Sequence, residues 1–348
     1  MTHKPPLSVQ ELVHRIEIGP LKAIILRAVL VCAVAGLIGL YLFFYFRGLD
    51  TETAMDQAQI GRQIAGGGGY STLYIRPAAM WQLMNYRAAM PKGFFPDTYN
   101  FPLNPALNAV LLRPIKRWWQ MEPTQLTYIG DRVIAAAGVA LFLASVVLTF
   151  FVVRGLFDPK IAWITAGLVL LTDMMWKFAV SGLPQMLMLF LFSAALLLLH
   201  WAIEAREGGR AGRSLSLLAA IAFLLGLMTL AQPVAAWIFG GFLVFVFAWF
   251  RPRAISGTLV FVVYAAVVAP WLVRNHLVCG NPLGLTIFSI LDGTGGSELS
   301  FMANLQPDLS GFGAVRDKMR GGFTSQFQSL FGYFGFNAAA AAFFFSLL

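Results

Sequence analysis

Residues 28–46 read AVLVCAVAGLIGLYLFFYF, and just beyond them residues 50–69 read DTETAMDQAQIGRQIAGGGG. The first stretch carries no charge and is long enough to cross a hydrocarbon core of about 30 Å. The second sets Asp50, Glu52, Asp56 and Arg62 directly beside it. Charge at the edge of a bilayer is costly unless it faces water, pairs or acts. The boundary between these two stretches sets the reading of the rest.

The whole chain has the composition of the first stretch. Of 348 residues, 58% are hydrophobic and 12% charged, where a soluble domain carries about 25% charged residues. The sequence therefore predicts an all-α polytopic membrane protein. Uncharged runs mark about eight transmembrane helices: 28–46, 133–153, 161–176, 183–203, 215–231, 234–250, 255–273 and 330–348. Residues 1–27 form an N-terminal segment whose stretch 8–18 could lie on the membrane as an amphipathic helix. Residues 28–348 form one transmembrane module with long polar segments at 48–127 and 274–325. Phe43 to Phe46 close the first span with an aromatic belt, so it reads as a retained span and not as a cleaved leader.

A net charge of +9 in a soluble protein would suggest nucleic acid. Here the basic residues lie in short loops and set orientation instead. Arg154, Lys160, Arg206, Arg210, Arg213, Arg251 and Arg253 fall on one side, which the positive-inside rule makes cytoplasmic. The N-terminus is then cytoplasmic, and both long polar segments are extracytoplasmic, in a multi-pass protein of the cell (inner) membrane. Cys32 lies within a span and Cys279 in an outer loop, too far apart for a disulfide. The four histidines are scattered, and no Cys/His set has metal-ligand spacing. No internal repeat is visible, which disfavours a secondary transporter.

Asp50 and Thr51 are N-cap residues and Gly66 to Gly69 a stop signal, so residues 52–65 should form a surface helix. Glu52, Asp56, Gln59 and Gln63 share one face. Ala54, Met55, Ala58 and Ile64 would pack against lipid or other spans. A structural account suffices for these charges: Asp50 as cap, Glu52 at the helix dipole, Arg62 on a lipid headgroup. A second surface helix is expected over 107–119, with Arg113, Lys116 and Arg117 beside Trp118 and Trp119. Asp173 and Lys177 are four apart and can pair. Arg274 ends the seventh span, where it can meet a phosphate or snorkel.

Four segments resemble the C-type membrane glycosyltransferases, in particular the branch of protein O-mannosyltransferases and lipid A aminoarabinose transferases. Met55-Asp56-Gln57-Ala58 through Arg62 and Ala65, with the glycines and Tyr70, is similar to that family's Asp-Glu-Ala … Gly-Gly-Tyr pattern. Phe101-Pro-Leu-Asn-Pro-Ala-Leu is similar to its Pro-Pro-Leu-Tyr-Pro segment. Arg132-Val-Ile-Ala-Ala through Leu156-Phe157 is similar to its second span. Pro270-Trp-Leu-Val-Arg-Asn … Gly-Asn-Pro is similar to its Pro-Trp-Arg-Asn element. The resemblance covers about residues 28–285. It implies transfer of a sugar from a polyprenyl-phosphate donor to an extracytoplasmic acceptor, with membrane lipids and no nucleic acid as partners. It implies Asp56 as the base at the acceptor hydroxyl. Arg62, Lys177 and Arg274 are then candidates for the leaving phosphate, with Arg76 behind them.

Gln57 departs from the pattern, since the family often has Glu there. Asp50 or Glu52 could supply the missing carboxylate, or the reaction runs without a metal. No cofactor is certain, and a divalent cation stays open. The family usually has more spans and often a C-terminal soluble domain, so the chain, ending inside an apolar run, reads as a fragment or a shorter variant. Two other classes compete. A lipid-linked sugar transporter would need ionisable residues near mid-span, whereas Asp173 and His200 lie near span ends. A non-catalytic membrane subunit would fit Gln57, but not the retained Asp56.

Overall fold

A computed structural model of the chain describes residues 20–87, 93–118, 128–286, 316–317 and 319–325. The expected amphipathic segment 8–18 and the eighth span, 330–348, lie outside them. The chain divides by packing into Met1–Arg47 and Gly48–Leu348. In the first unit, helix α1 (Pro20–Gly39) runs on through a π-helical stretch, Leu40–Tyr45. Ala28–Tyr45 is long and apolar enough to cross a membrane.

The second unit begins with α2 (Glu52–Gly66), strand β1 (Ser71–Thr72), α3 (Pro77–Arg87), β2 (Phe95–Pro96) and α4 (Leu103–Leu112). Helices α5 (Ile129–Leu156), α6 (Pro159–Leu171), α7 (Asp173–Val180) and α8 (Gln185–Glu207) follow. Then come α9 (Ala211–Ala231), α10 (Ala236–Trp249) and α11 (Arg253–Cys279). The protein is an all-α polytopic membrane protein. Five described helices pass as spans, and six if α6 and α7 together form one. Residues 234–250 form a shorter apolar helix, Pro233–Trp249, which opens with a 3-10 turn at Pro233.

The expected third span is bent by 58° between α6 and α7. The apolar pattern hides this break, and local donors stabilise it. Thr172 Oγ1 donates to the Leu168 carbonyl (2.8 Å) and Trp176 Nε1 to that of Leu170 (2.6 Å). Backbone carbonyls that lose their helical partners at a bend need such replacements, above all at membrane depth.

Small residues let the spans approach, as they do where lipid tails remove any hydrophobic drive between helices. Ala202 on α8 and Ala222 on α9 are fully buried, and Ser214 Oγ of α9 donates to the Ala202 carbonyl (3.0 Å). Thr229 on α9 hydrogen-bonds Tyr264 on α11 (3.0 Å), whose ring stacks on Phe239 of α10 (3.6 Å). Phe142 of α5 meets Trp176 of α7 edge-on at 5.2 Å. Phe151, Trp163, Trp237, Val244 and Phe261 point outward, as lipid-facing side chains do. No disulfide joins the two cysteines. Cys32 is exposed, and Cys279, the last residue of α11, is buried with its thiol donating to the Asn275 carbonyl (3.3 Å).

Candidate active site

Helix α2 forms where its end signals place it. Its cap is Thr51, whose hydroxyl accepts from Ala54 N (3.3 Å), and not Asp50, which lies exposed one residue earlier. It ends at Gly67, left-handed at φ 90°, a conformation that costs glycine nothing. Its buried face overlaps the expected one at Ala54 and Ala58 and differs at Asp56 and Met55. Asp56 and Gln57 are buried with Ala54, Ala58, Ile60 and Gly61, while Met55 is exposed. Of the expected polar face only Asp56 is buried, because its donors lie there, and Glu52 is exposed. Helix α4 packs on this face across Gly61, where a Cβ would stand 2.7 Å from Asn108 Cβ.

After the glycine turn the chain pairs β1 with β2, Ser71 against Pro96 and Thr72 against Phe95. This two-residue ribbon brings Thr72, Arg76 and Asn100 onto the Asp56 carboxylate, with Asp97 on the other arm of Arg76. Arg76 Nη2 donates to Asp56 Oδ2 at 2.7 Å, and Asn100 Nδ2 donates to the same oxygen at 2.5 Å. Thr72 Oγ1 donates to Oδ1 at 2.7 Å. Arg76 Nη1 also reaches Asp97 Oδ1 at 3.4 Å, so one guanidinium serves two buried carboxylates. Its flat face lies over the rings of Tyr74 (4.7 Å) and Tyr99 (4.3 Å). Its Nε has no hydrogen-bond partner among the described residues.

Asp97 is pushed up to about 6 from the usual 3.8, first by desolvation and then by the Asp56 charge. Arg76 and backbone donors oppose that rise. Asp97 Oδ2 accepts from Asn100 N (2.8 Å), which fixes the loop carrying Asn100. Arg274, at the far end of α11, donates to the backbone carbonyls of Asp97 and Tyr70, the latter at 3.2 Å. It lies over the rings of Tyr70 (5.1 Å) and Trp271 (4.8 Å). The start of the second polar segment closes on the same place, with Leu285 N donating to the Thr98 carbonyl (3.0 Å).

The structure thus gathers Asp56 and Arg274 with Arg76 and Asp97, and engages the other sequence candidates elsewhere. Glu52 accepts from the Tyr74 hydroxyl. Arg62 faces Asp131 at 3.8 Å and lies over the Tyr128 ring. Lys177 pairs with Asp173 on its own helix at 2.6 Å. Arg113, Lys116 and Arg117 sit exposed on a 3-10 turn, Arg113–Trp118, that follows α4, so the second surface helix starts earlier than 107 and changes character at Arg113. Helix α3 was not legible as a helix at all. The described residues contain no group of three or more His, Cys, Asp or Glu that could hold a metal ion.

No protein-family model matches the chain, and no curated protein matches it in sequence. A solved structure does match in three dimensions: the oligosaccharyltransferase of Archaeoglobus fulgidus, tethered by a disulfide to an acceptor peptide containing the NVT sequon. The TM-score is 0.51 at 13% identity, over 89% of this chain and 38% of that one. The fold has a solved counterpart in a glycosyltransferase. The apo form of the same enzyme gives a TM-score of 0.48 at 15% identity, over 70% of this chain and 29% of that one. The chain therefore spans well under half the length of the solved protein, and at this identity the likeness is one of fold.

Proposed function

We propose that the chain is a membrane glycosyltransferase that moves a sugar from a polyprenyl-phosphate donor to an extracytoplasmic acceptor, with Asp56 as the base. One observation carries the reading. Asp56 is a buried carboxylate held by three donors on a capped helix, in a fold shared with an oligosaccharyltransferase. An ionised carboxylate offers about four acceptor positions. Among the described residues Oδ2 takes two donors and Oδ1 one, which leaves a lone pair of Oδ1 for a substrate hydroxyl. Thr72 already presents a hydroxyl to that oxygen at 2.7 Å, the contact an acceptor would make.

The step balances simply. The acceptor oxygen attacks the anomeric carbon, and its proton passes to Asp56. The bond from that carbon to the phosphate oxygen breaks, and its electron pair leaves with the polyprenyl phosphate. Arg76, whose Nε has no hydrogen-bond partner among the described residues, and Arg274 at the same end of the bundle are the cations that meet this charge. Asp56 and Asp97 are both bound to Arg76, and the step is written without a metal.

Sidedness follows from the loop charges, which put the α2–α4 segment and the end of α11 outside. The reading is tested with the purified chain in lipid vesicles, given labelled polyprenyl-phosphate hexoses or pentoses and candidate lipid, glycan or peptide acceptors. Label should leave the donor only when protein is present. A second reading, a non-catalytic subunit, draws on the enclosure of Asp56, whose side chain is only 1% exposed. That reading expects no transfer from any donor.

A further inference from the structure

Three buried carboxamides run head to tail into the Asp56 carboxylate. Asn104 Nδ2 donates to the Gly182 carbonyl (3.2 Å) and to Gln57 Oε1 (2.6 Å). Gln57 Nε2 donates to Asn100 Oδ1 (3.2 Å), and Asn100 Nδ2 donates to Asp56 Oδ2 (2.5 Å). A carboxamide can turn over and exchange its oxygen for its nitrogen, so its orientation is set by its neighbours. Here the order is the same from both ends, because the Asp56 carboxylate and the Gly182 carbonyl both only accept. The Gly182 carbonyl only accepts, so Asn104 must offer it nitrogen. Gln57 then offers oxygen to Asn104 and nitrogen to Asn100, and Asn100 is left with its nitrogen toward Asp56.

We infer that Gln57 is a positioning residue: the Asn104–Gln57–Asn100 relay fixes the orientation of Asn100 and so keeps a hydrogen-bond donor on Asp56. The inference rests on Asp56 being the base. It gives a physical reason for glutamine at a position where the resembling family often has glutamate. An ionised glutamate has acceptors only. It would still satisfy Asn104, but it would leave Asn100 between two acceptor-only carboxylates that compete for its one nitrogen, weakening the donor on Asp56. A protonated glutamate keeps the relay, since its O–H donates to Asn100 while its carbonyl accepts from Asn104.

The ionisable groups near position 57 are few. Asp56 is its neighbour on α2, and Asp97 with Arg76 faces it through Asn100. Helix α4, strand β1 and the turn at Gly182 carry none. Arg62 on α2 faces Asp131 of α5, and the basic residues after α4 are exposed. Burial and the Asp56 charge both raise the titration of a glutamate placed there, against the Asn104 donor and the Arg76 charge beyond Asn100.

The test compares wild type, Gln57→Glu and Gln57→Leu in the vesicle transfer assay across pH. Gln57→Glu should approach wild type at the acid end and lose at least about tenfold in kcat toward alkaline pH, through a descending limb that wild type lacks. Gln57→Leu should lose a similar factor at every pH, with no new limb. A Gln57→Glu profile parallel to wild type, or full transfer by Gln57→Leu, overturns the relay. Thermal midpoints of the purified proteins give an arm independent of activity. The Gln57→Glu midpoint should fall against wild type as pH rises, while the Gln57→Leu difference stays constant. If wild type itself transfers no sugar, the glycosyltransferase reading fails, and a Gln57→Glu midpoint that tracks wild type at every pH overturns the relay by itself.

Discussion

Replacing Arg76 by Met removes the guanidinium that bridges Asp56 and Asp97 and leaves two buried carboxylates facing each other. Arg76, Asp56 and Asp97 are 3%, 1% and 3% exposed in their side chains, so solvent screens the loss very little. Unit charges about 4 Å apart interact by about 4 kcal/mol at an effective dielectric near 20. Breaking a buried ion pair from one side costs about 3–5 kcal/mol, which is the expected loss for Arg76→Met at neutral pH. The loss should shrink in acid. Asp97 already sits at about 6, and without Arg76 it rises further above its unfolded value. The folded variant then binds a proton that the unfolded chain does not, and below that raised pKa the repulsion is gone. Adding Asp97→Asn removes one of the two like charges and should return about 1–3 kcal/mol. The assay is unfolding of the purified protein in detergent at pH near 5 and near 7. An Arg76→Met protein within about 0.5 kcal/mol of wild type would refute the argument. So would equal losses at both pH values together with an additive double variant.

Two further outcomes follow from the same geometry. Asp97 is raised from 3.8 to about 6, so its contribution favours the folded state in acid and is lost as pH rises through that window. The shift of about two units is worth about 3 kcal/mol. Asp97→Asn should remove this slope between pH about 4 and 6, and thermal midpoints measured across the range check it. Gly61→Ala puts a Cβ 2.7 Å from Asn108 Cβ and 3.2 Å from the backbone of α4. It should cost about 1–3 kcal/mol and lower sugar transfer by displacing α2, and a variant that keeps both stability and transfer contradicts the close packing of α2 on α4.

Five of the expected spans were legible because any charge inside them would be costly, so their edges show in the sequence. Helix α2 was legible because both its ends are signalled locally, at Thr51 and at the glycines. What gathers around Asp56 was not. Arg76 and Asp97 reach it through a ribbon of two residues per strand, too short to leave any alternation of polar and apolar residues. Pairs such as Tyr74–Arg76 and Asp97–Tyr99, in a chain otherwise poor in charge, were the available hint. Within α2, the burial of Asp56 and the exposure of Met55 were not legible for a related reason. Helical spacing tells which residues share a face, but not that Thr72, Arg76 and Asn100 would bury Asp56 while Glu52 on the same face stays exposed. The bend at Thr172 escaped because side-chain donors, and no break in hydropathy, stabilise it.

The central claim is that Asp56 takes the proton of the acceptor. It is tested most directly by transfer from a labelled polyprenyl-phosphate sugar in vesicles, comparing wild type with Asp56→Asn at matched protein level and matched thermal midpoint. The account predicts transfer by wild type and a loss of about 10²–10⁴-fold in Asp56→Asn, the range for removing a positioned general base. Equal transfer by the two proteins contradicts it.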